Sequence, residues 1–235
     1  MSKTGAALAS LFLLSAILPA QAGERPVVVE LFTSEGCSSC PPADALLVEL
    51  ANRPDVLALS FHVDYWDRLG WKDQFSSPAA TARQERYAQL LGIEGVYTPQ
   101  IVVDGRRETV GSDRAAVERA LDAARREPSV VPVMLALDNG RVRITIGRGS
   151  DTASASIVLI GFDRSRVDRV ERGENSGRTL TYVDVVRGIE EVGRFTGGAS
   201  QIVVAPPWRS DRLAAIIEAP DGRILGVAVA DRERL

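Results

Sequence analysis

Val27-Val28-Val29-Glu30-Leu31-Phe32 is apolar at consecutive positions, broken only by Glu30, and begins with three β-branched residues. A short run without polar alternation fits a central strand buried on both faces. Thr33 to Cys40 follows as a turn of mostly small residues. Pro41 to Ala51 then carries Ala45, Leu46, Leu47, Val48 and Leu50 in a helical pattern. Val56 to Val63 is a second buried strand. Asp64 to Phe75 is a long, Trp-rich connection.

Ser77-Pro78 reads as an N-cap with proline at the first helical position, and Gly92 can end that helix. After Thr98-Pro99, strand Gln100 to Val103 turns at Asp104-Gly105 and returns as Arg107 to Val110. Ser112 is expected to open a last helix through Val117, Leu121 and Ala124. The order β-α-β-α-β-β-α predicts an α/β domain over 24–127. Helical periodicity stops near Glu127-Pro128. Strands with hairpin signals at Asn139-Gly140 and Asp221-Gly222 follow, and predict an antiparallel all-β sandwich-like domain over 128–235. Glu171 to Arg178 is a charged loop.

The N-terminus combines Lys3, an apolar run from Ala6 to Leu18 and Ala20-Gln21-Ala22, the pattern of a secretory signal peptide cleaved after Ala22. That run is short for a bilayer span, and no later one is longer, so no stable membrane span is expected after cleavage. The expected location is the periplasm or the exterior of a bacterial cell, where disulfides persist. The formal net charge of −3 and the scattering of arginines among acids give no footprint for nucleic acid.

Cys37 and Cys40 are the two cysteines of the chain. A Cys-x-x-Cys pair between a strand and a helix suits a thiol–disulfide redox centre. As a staple it would contribute little, roughly 2 kcal/mol for so short a loop. In an open α/β sheet, ligands gather at the carboxyl ends of parallel strands. Strand order brings three segments to that end: the Cys37 turn, His62-Val63-Asp64-Tyr65-Trp66-Asp67 and Tyr97-Thr98-Pro99.

Val29 to Cys40 resembles the first strand and active-site turn of thioredoxins and glutaredoxins, and Thr98-Pro99 resembles their cis-proline loop. The exported chain is more similar still to the DUF1223 family of secreted thioredoxin-like proteins. Glu30 to Asp44, His62 to Asp67 and Gly173-Glu174-Asn175-Ser176-Gly177-Arg178-Thr179-Leu180-Thr181 carry that likeness. The resemblance implies that Cys37, the more exposed cysteine, attacks and that buried Cys40 resolves. It also implies a cis Pro99 that holds the Thr98 backbone edge open for a partner's extended segment. The partners would be thiols and disulfides of exported proteins and a further redox protein, with no cofactor.

Gly36 stands where thioredoxins usually carry Trp, and the dipeptide Ser38-Ser39 lacks their Pro. Glu35 adds a charge that disfavours a thiolate. Pro41-Pro42 place the helix start near Cys40, which withholds part of the helix dipole from Cys37. His62 is either a satisfied polar residue or a site residue that shuttles a proton to or from Cys40 or orients Asp64 through a hydrogen bond. Glu30 is either a proton acceptor beneath Cys40 or a residue turned to a helix edge. Trp66, with Trp71, Tyr65 and Phe75, forms a hydrophobic plug or a rim for a peptide. Against an exchange enzyme stand two other readings: a thioredoxin-like binding module with a permanent disulfide, and a metallochaperone using Cys37, Cys40 and His62.

Overall fold

Strand β1 (Val27–Thr33) is buried along its whole length, as its unbroken apolar run requires. It runs parallel to β2 (Val56–His62), equally buried, with Thr33 opposite His62. Helix α1 (Pro41–Ala51) connects them. A 3₁₀ turn at Asp67–Leu69 and helix α2 (Pro78–Leu91) lead to the hairpin β3 (Gln100–Val103) and β4 (Arg107–Val110), and α3 (Arg114–Arg125) follows. The computed structural model describes residues 25–127, 131–149 and 154–232; the leader expected over 1–22 lies outside them.

Local chemistry accounts for the helix ends. Ser77 caps α2 by accepting the Ala80 N–H at 3.2 Å, and Gly92 closes it in the left-handed region. Ser77→Ala is expected to cost about 0.5–2 kcal/mol in urea unfolding. The cap of α3 is Asp113, not Ser112, because the Asp113 carboxylate accepts the Ala116 N–H at 3.0 Å.

The second half contains β5 (Val133–Asp138), β6 (Arg141–Ile146), β7 (Ala155–Arg169), β8 (Thr179–Phe195), β9 (Ser200–Val204), β10 (Arg212–Glu218) and β11 (Ile224–Asp231). The antiparallel sandwich-like half expected over 128–235 is present in part: its small sheet packs on β7 and β10, but its long strands are not a separate sheet. β8 lies parallel beside β2, with Ser60 opposite Val185. The result is one eight-stranded mixed sheet in the order β11-β10-β7-β8-β2-β1-β3-β4. Only β5, β6 and β9 form a second, antiparallel sheet of three. The cause is the free edge of β2. That strand is apolar on both faces, and an unpaired edge would leave its backbone groups exposed to wrong pairing.

The two halves share a core. Phe32, Phe61 and Tyr87 pack in one cluster with Val158, Ile160, Phe162 and Ile216. On the other face of β1, Val29 and Leu31 meet Leu46, Leu47 and Leu50 of α1. The small sheet covers β7 and β10 through Val142, Ile144 and Ile146.

β7 and β8 are longer than the apolar segments Ser154 to Phe162 and Thr179 to Val186 suggest. Their outer parts, such as Arg164 to Arg169, are largely solvated and lose the apolar signal. This projecting hairpin reaches the cysteine turn.

Candidate functional site

Cys40 takes helical torsions as the N-cap of α1, with Pro41 and Pro42 in the first turn, where a missing N–H costs nothing. Cys37 sits one turn earlier, and the Cys40 N–H donates to its carbonyl at 3.2 Å. The two sulfurs are joined in a disulfide across a Cα separation of 5.4 Å. Both cysteines are fully buried, whereas Ser38 and Ser39 between them are exposed. The expectation that Cys37 is the more exposed cysteine is therefore corrected.

The tip of the β7–β8 hairpin holds the cysteine turn by its backbone. Asn175, itself buried, donates from Nδ2 to the Glu35 carbonyl at 2.9 Å and to the Cys37 carbonyl at 2.8 Å. Glu174 accepts the Ser38 N–H at 3.1 Å. Nothing local to the cysteines announces this; the signal was the separate segment Gly173 to Thr181.

On the α1 face lies a buried polar cluster. Thr33 donates to Asp44 at 2.9 Å, and His62 Nδ1 meets Asp73 Oδ2 at 2.6 Å. His62 and Asp44 are buried, and the rings of Tyr182 and Phe75 stand edge-on to the imidazole. Burial pushes the Asp44 carboxyl up to about 7, against the nearby His62 ring, which lowers it. Burial, reinforced by the Asp73 carboxylate, pushes Glu35 up to about 8, although Trp71 Nε1 donates to it at 2.7 Å. That rise favours the neutral form of Glu35 and so weakens the charge expected to oppose a thiolate. Burial alone would raise Asp73, but the His62 ring and the N–H groups of Glu35 and Phe75 hold it below its ordinary value. Asp44 Oδ2, Ser60 Oγ, His62 Nε2 and the Tyr182 hydroxyl have no hydrogen-bond partner among the described residues. Asp44 was legible in retrospect: it stands four residues after Cys40 on one helix, so their side chains share a face.

Other expected site residues fall elsewhere. Asp64 accepts from the Thr81 hydroxyl at 2.6 Å, so His62 orients Asp73 and not Asp64. Glu30 is on the opposite face of β1 and does not lie beneath Cys40. It is bound by Arg83, whose Nη2 donates to it at 2.9 Å, and by the Tyr87 hydroxyl at 2.7 Å. Trp66 joins the three converging segments. It donates to Thr98 Oγ1 at 2.9 Å, and a Cβ on Gly36 would meet its own Cβ at 3.2 Å. The Thr98–Pro99 bond is cis, and Pro99 and Ala43 of α1 both border Gly111. Phe75 is buried and Trp71 is tied to Glu35, so these two act as a plug. No group of three His, Cys, Asp or Glu side chains among the described residues is arranged to hold a metal ion.

A family described as a protein of unknown function, DUF1223, matches residues 28–218. The chain belongs to the DUF1223 family. Among solved structures, protein AGR_C_4864 from Agrobacterium tumefaciens is similar at 33% identity with a TM-score of 0.78, covering 90% of this chain and 97% of that one. HBP35 of Porphyromonas gingivalis is similar at 16% identity with a TM-score of 0.64, covering 88% of this chain and 75% of that one, a likeness of fold. No functionally curated protein matches. For this DUF1223 member, the site is a disulfide closed at a helix start, capped by a remote hairpin and backed by buried carboxyls. No helix of the described residues is long and apolar enough to cross a membrane.

Proposed function

We propose that this DUF1223 protein carries out thiol–disulfide exchange in the periplasm or outside the cell, on a thioredoxin-like scaffold. The observation that carries the reading is the Cys37–Cys40 disulfide at the start of α1 with Asp44, a buried carboxyl, one helical turn behind it.

In the direction written from the oxidised state, a thiolate of an exported dithiol protein attacks Cys37 Sγ. The Cys37–Cys40 bond breaks as the mixed disulfide forms. The electron pair remains on Cys40 Sγ, which takes a proton; Asp44 is the group positioned to supply it. The partner's second thiolate then attacks its own sulfur in the mixed disulfide and releases Cys37 as a thiolate. The partner is oxidised by two electrons and the Cys37–Cys40 pair is reduced by two. The reverse sequence, with Cys37 attacking and Cys40 resolving, reduces a partner disulfide.

Equilibration of the purified mature protein against dithiothreitol buffers tests this. A potential between roughly −120 and −270 mV is expected, among known exchange catalysts. In cells, Cys40→Ser is expected to accumulate mixed disulfides through Cys37, and the Cys37→Ser, Cys40→Ser double variant to accumulate none. A potential below about −300 mV would mark a bridge that export conditions leave closed. The burial of both cysteines favours that second reading, a thioredoxin-like binding module with a permanent disulfide. Its partners would co-purify without covalent links and would be retained by Cys37→Ser.

A further inference from the structure

We infer that the β7–β8 hairpin tip, residues 170–178, is a built-in gate over the disulfide. The inference rests on the exchange reading above. Cys37 has no accessible surface, yet a thiolate must approach its sulfur for exchange to begin. Some segment packed on the cysteine turn must therefore move; the tip binds the backbone of Glu35, Cys37 and Ser38, and two features suit it to that role.

The first is its construction as a small closed unit. The Val170 N–H donates to the Arg178 carbonyl at 3.0 Å, and the Gly177 N–H donates to the Val170 carbonyl at 2.8 Å. Arg178 Nη1 donates to Asn175 Oδ1 at 2.9 Å, which fixes the amide so that Nδ2 faces the cysteine turn. Val170 anchors the base of the tip among Phe75, Tyr182 and Val185. The tip can lift without dismantling the sheet, because its hinge is an anchored pair of strands.

The second is the nature of its grip. Asn175 binds the carbonyls of Glu35 and Cys37, and Glu174 binds the Ser38 N–H. Glu171, Arg172 and Glu174 are exposed. Asn175 is buried but holds the turn by two hydrogen bonds and not by apolar packing, and a contact of a few polar groups with exposed neighbours opens at lower cost than the apolar core around it. When opening and closing are fast, the rate of attack follows the population of the open form. The tip thereby sets how fast the disulfide reacts, with much less influence on its equilibrium potential.

The test compares wild type, Asn175→Ala and Glu174→Ala. Each oxidised protein is mixed with excess dithiothreitol, quenched with a maleimide at intervals and resolved by mass shift, with circular dichroism reporting the fold. Asn175→Ala is expected to be reduced at least tenfold faster than wild type. Glu174→Ala, an exposed side chain with one contact to the turn, is expected to gain two- to fivefold. If Asn175→Ala fails to fold, Glu174→Ala decides alone. Reduction of the folded variants at the wild-type rate overturns the gate. An equilibrium potential too low for exchange would instead remove the exchange reading and leave this rate comparison standing.

Discussion

Arg83→Met is expected to destabilise the oxidised protein by about 3–5 kcal/mol in urea unfolding, the range for removing one partner of a buried ion pair. Arg83 is 6% exposed and stands between two carboxylates, Glu30 at 1% and Glu218 at 2%. Its Nη1 donates to Glu218 at 3.0 Å, while Nε and Nη2 both bind Glu30. The guanidinium also lies 5.0 Å from the centre of the Tyr87 ring and 5.7 Å from that of Phe61. Arg86 also pairs with Glu218, so that carboxylate keeps a cation after the substitution. Among the described residues Glu30 then keeps only the Tyr87 hydroxyl, and a buried charge without a cation is costly. The network ties α2 to β1 and, through Glu218, to β10, so the loss should appear in the unfolding of both halves together. The contrasting case is Arg114→Ala, which breaks an exposed pair with Glu49 and should cost no more than about 1 kcal/mol. A loss below about 1 kcal/mol for Arg83→Met would show that Glu30 finds adequate solvation without it.

Asp44→Asn is expected to raise stability above neutral pH and to flatten its pH dependence. The Asp44 carboxyl is lifted from 3.8 to about 7 in the folded protein, chiefly by burial. Between those values the native state binds more protons than the unfolded state, so stability falls as pH rises. The full penalty is in place above about 7 and absent below about 4. A tenfold difference in proton affinity between the folded and unfolded chain corresponds to about 1.4 kcal/mol. Removing the ionisable group should therefore gain up to about 4 kcal/mol at pH 8, less the loss from a weaker contact with Thr33. Glu35, lifted from 4.5 to about 8, has the same sign and leaves a residual slope in the variant. Asp73, held below 3.8, has the opposite sign and acts only in stronger acid. Urea unfolding of both proteins at about pH 5 and about pH 8 measures the difference. Equal slopes for the two would mean that Asp44 ionises in the fold as freely as in water.

The expected elements that proved accurate share a local cause. Pro41–Ala51, Gln100–Val103 and Arg107–Val110 have the bounds read from their residues, because periodicity, prolines and an Asp-Gly turn act within a few positions. The Ser77 cap is of the same kind. Strand order alone brought the cysteine turn, the Trp66 segment and Thr98-Pro99 to one end of the sheet. Elsewhere the local signal was silent. β1 is apolar on both faces, so its period could not say that Glu30 faces α2 and Thr33 faces Asp44. His62 is followed in the connection by three carboxylates, Asp64, Asp67 and Asp73, and only the packing of the connection assigned it to Asp73.

The sequence by itself determined the order and bounds of the strand–turn–helix unit that carries Cys37 and Cys40, because the apolar run of β1, the small residues of the turn and Pro41-Pro42 act within a few positions. The tertiary structure decided that β8 would close the free edge of β2 and, in doing so, bring Asn175 onto the Cys37 carbonyl. That choice depends on which distant strands leave the fewest buried backbone groups unpaired once the whole sheet is assembled, and no window along the chain contains that comparison.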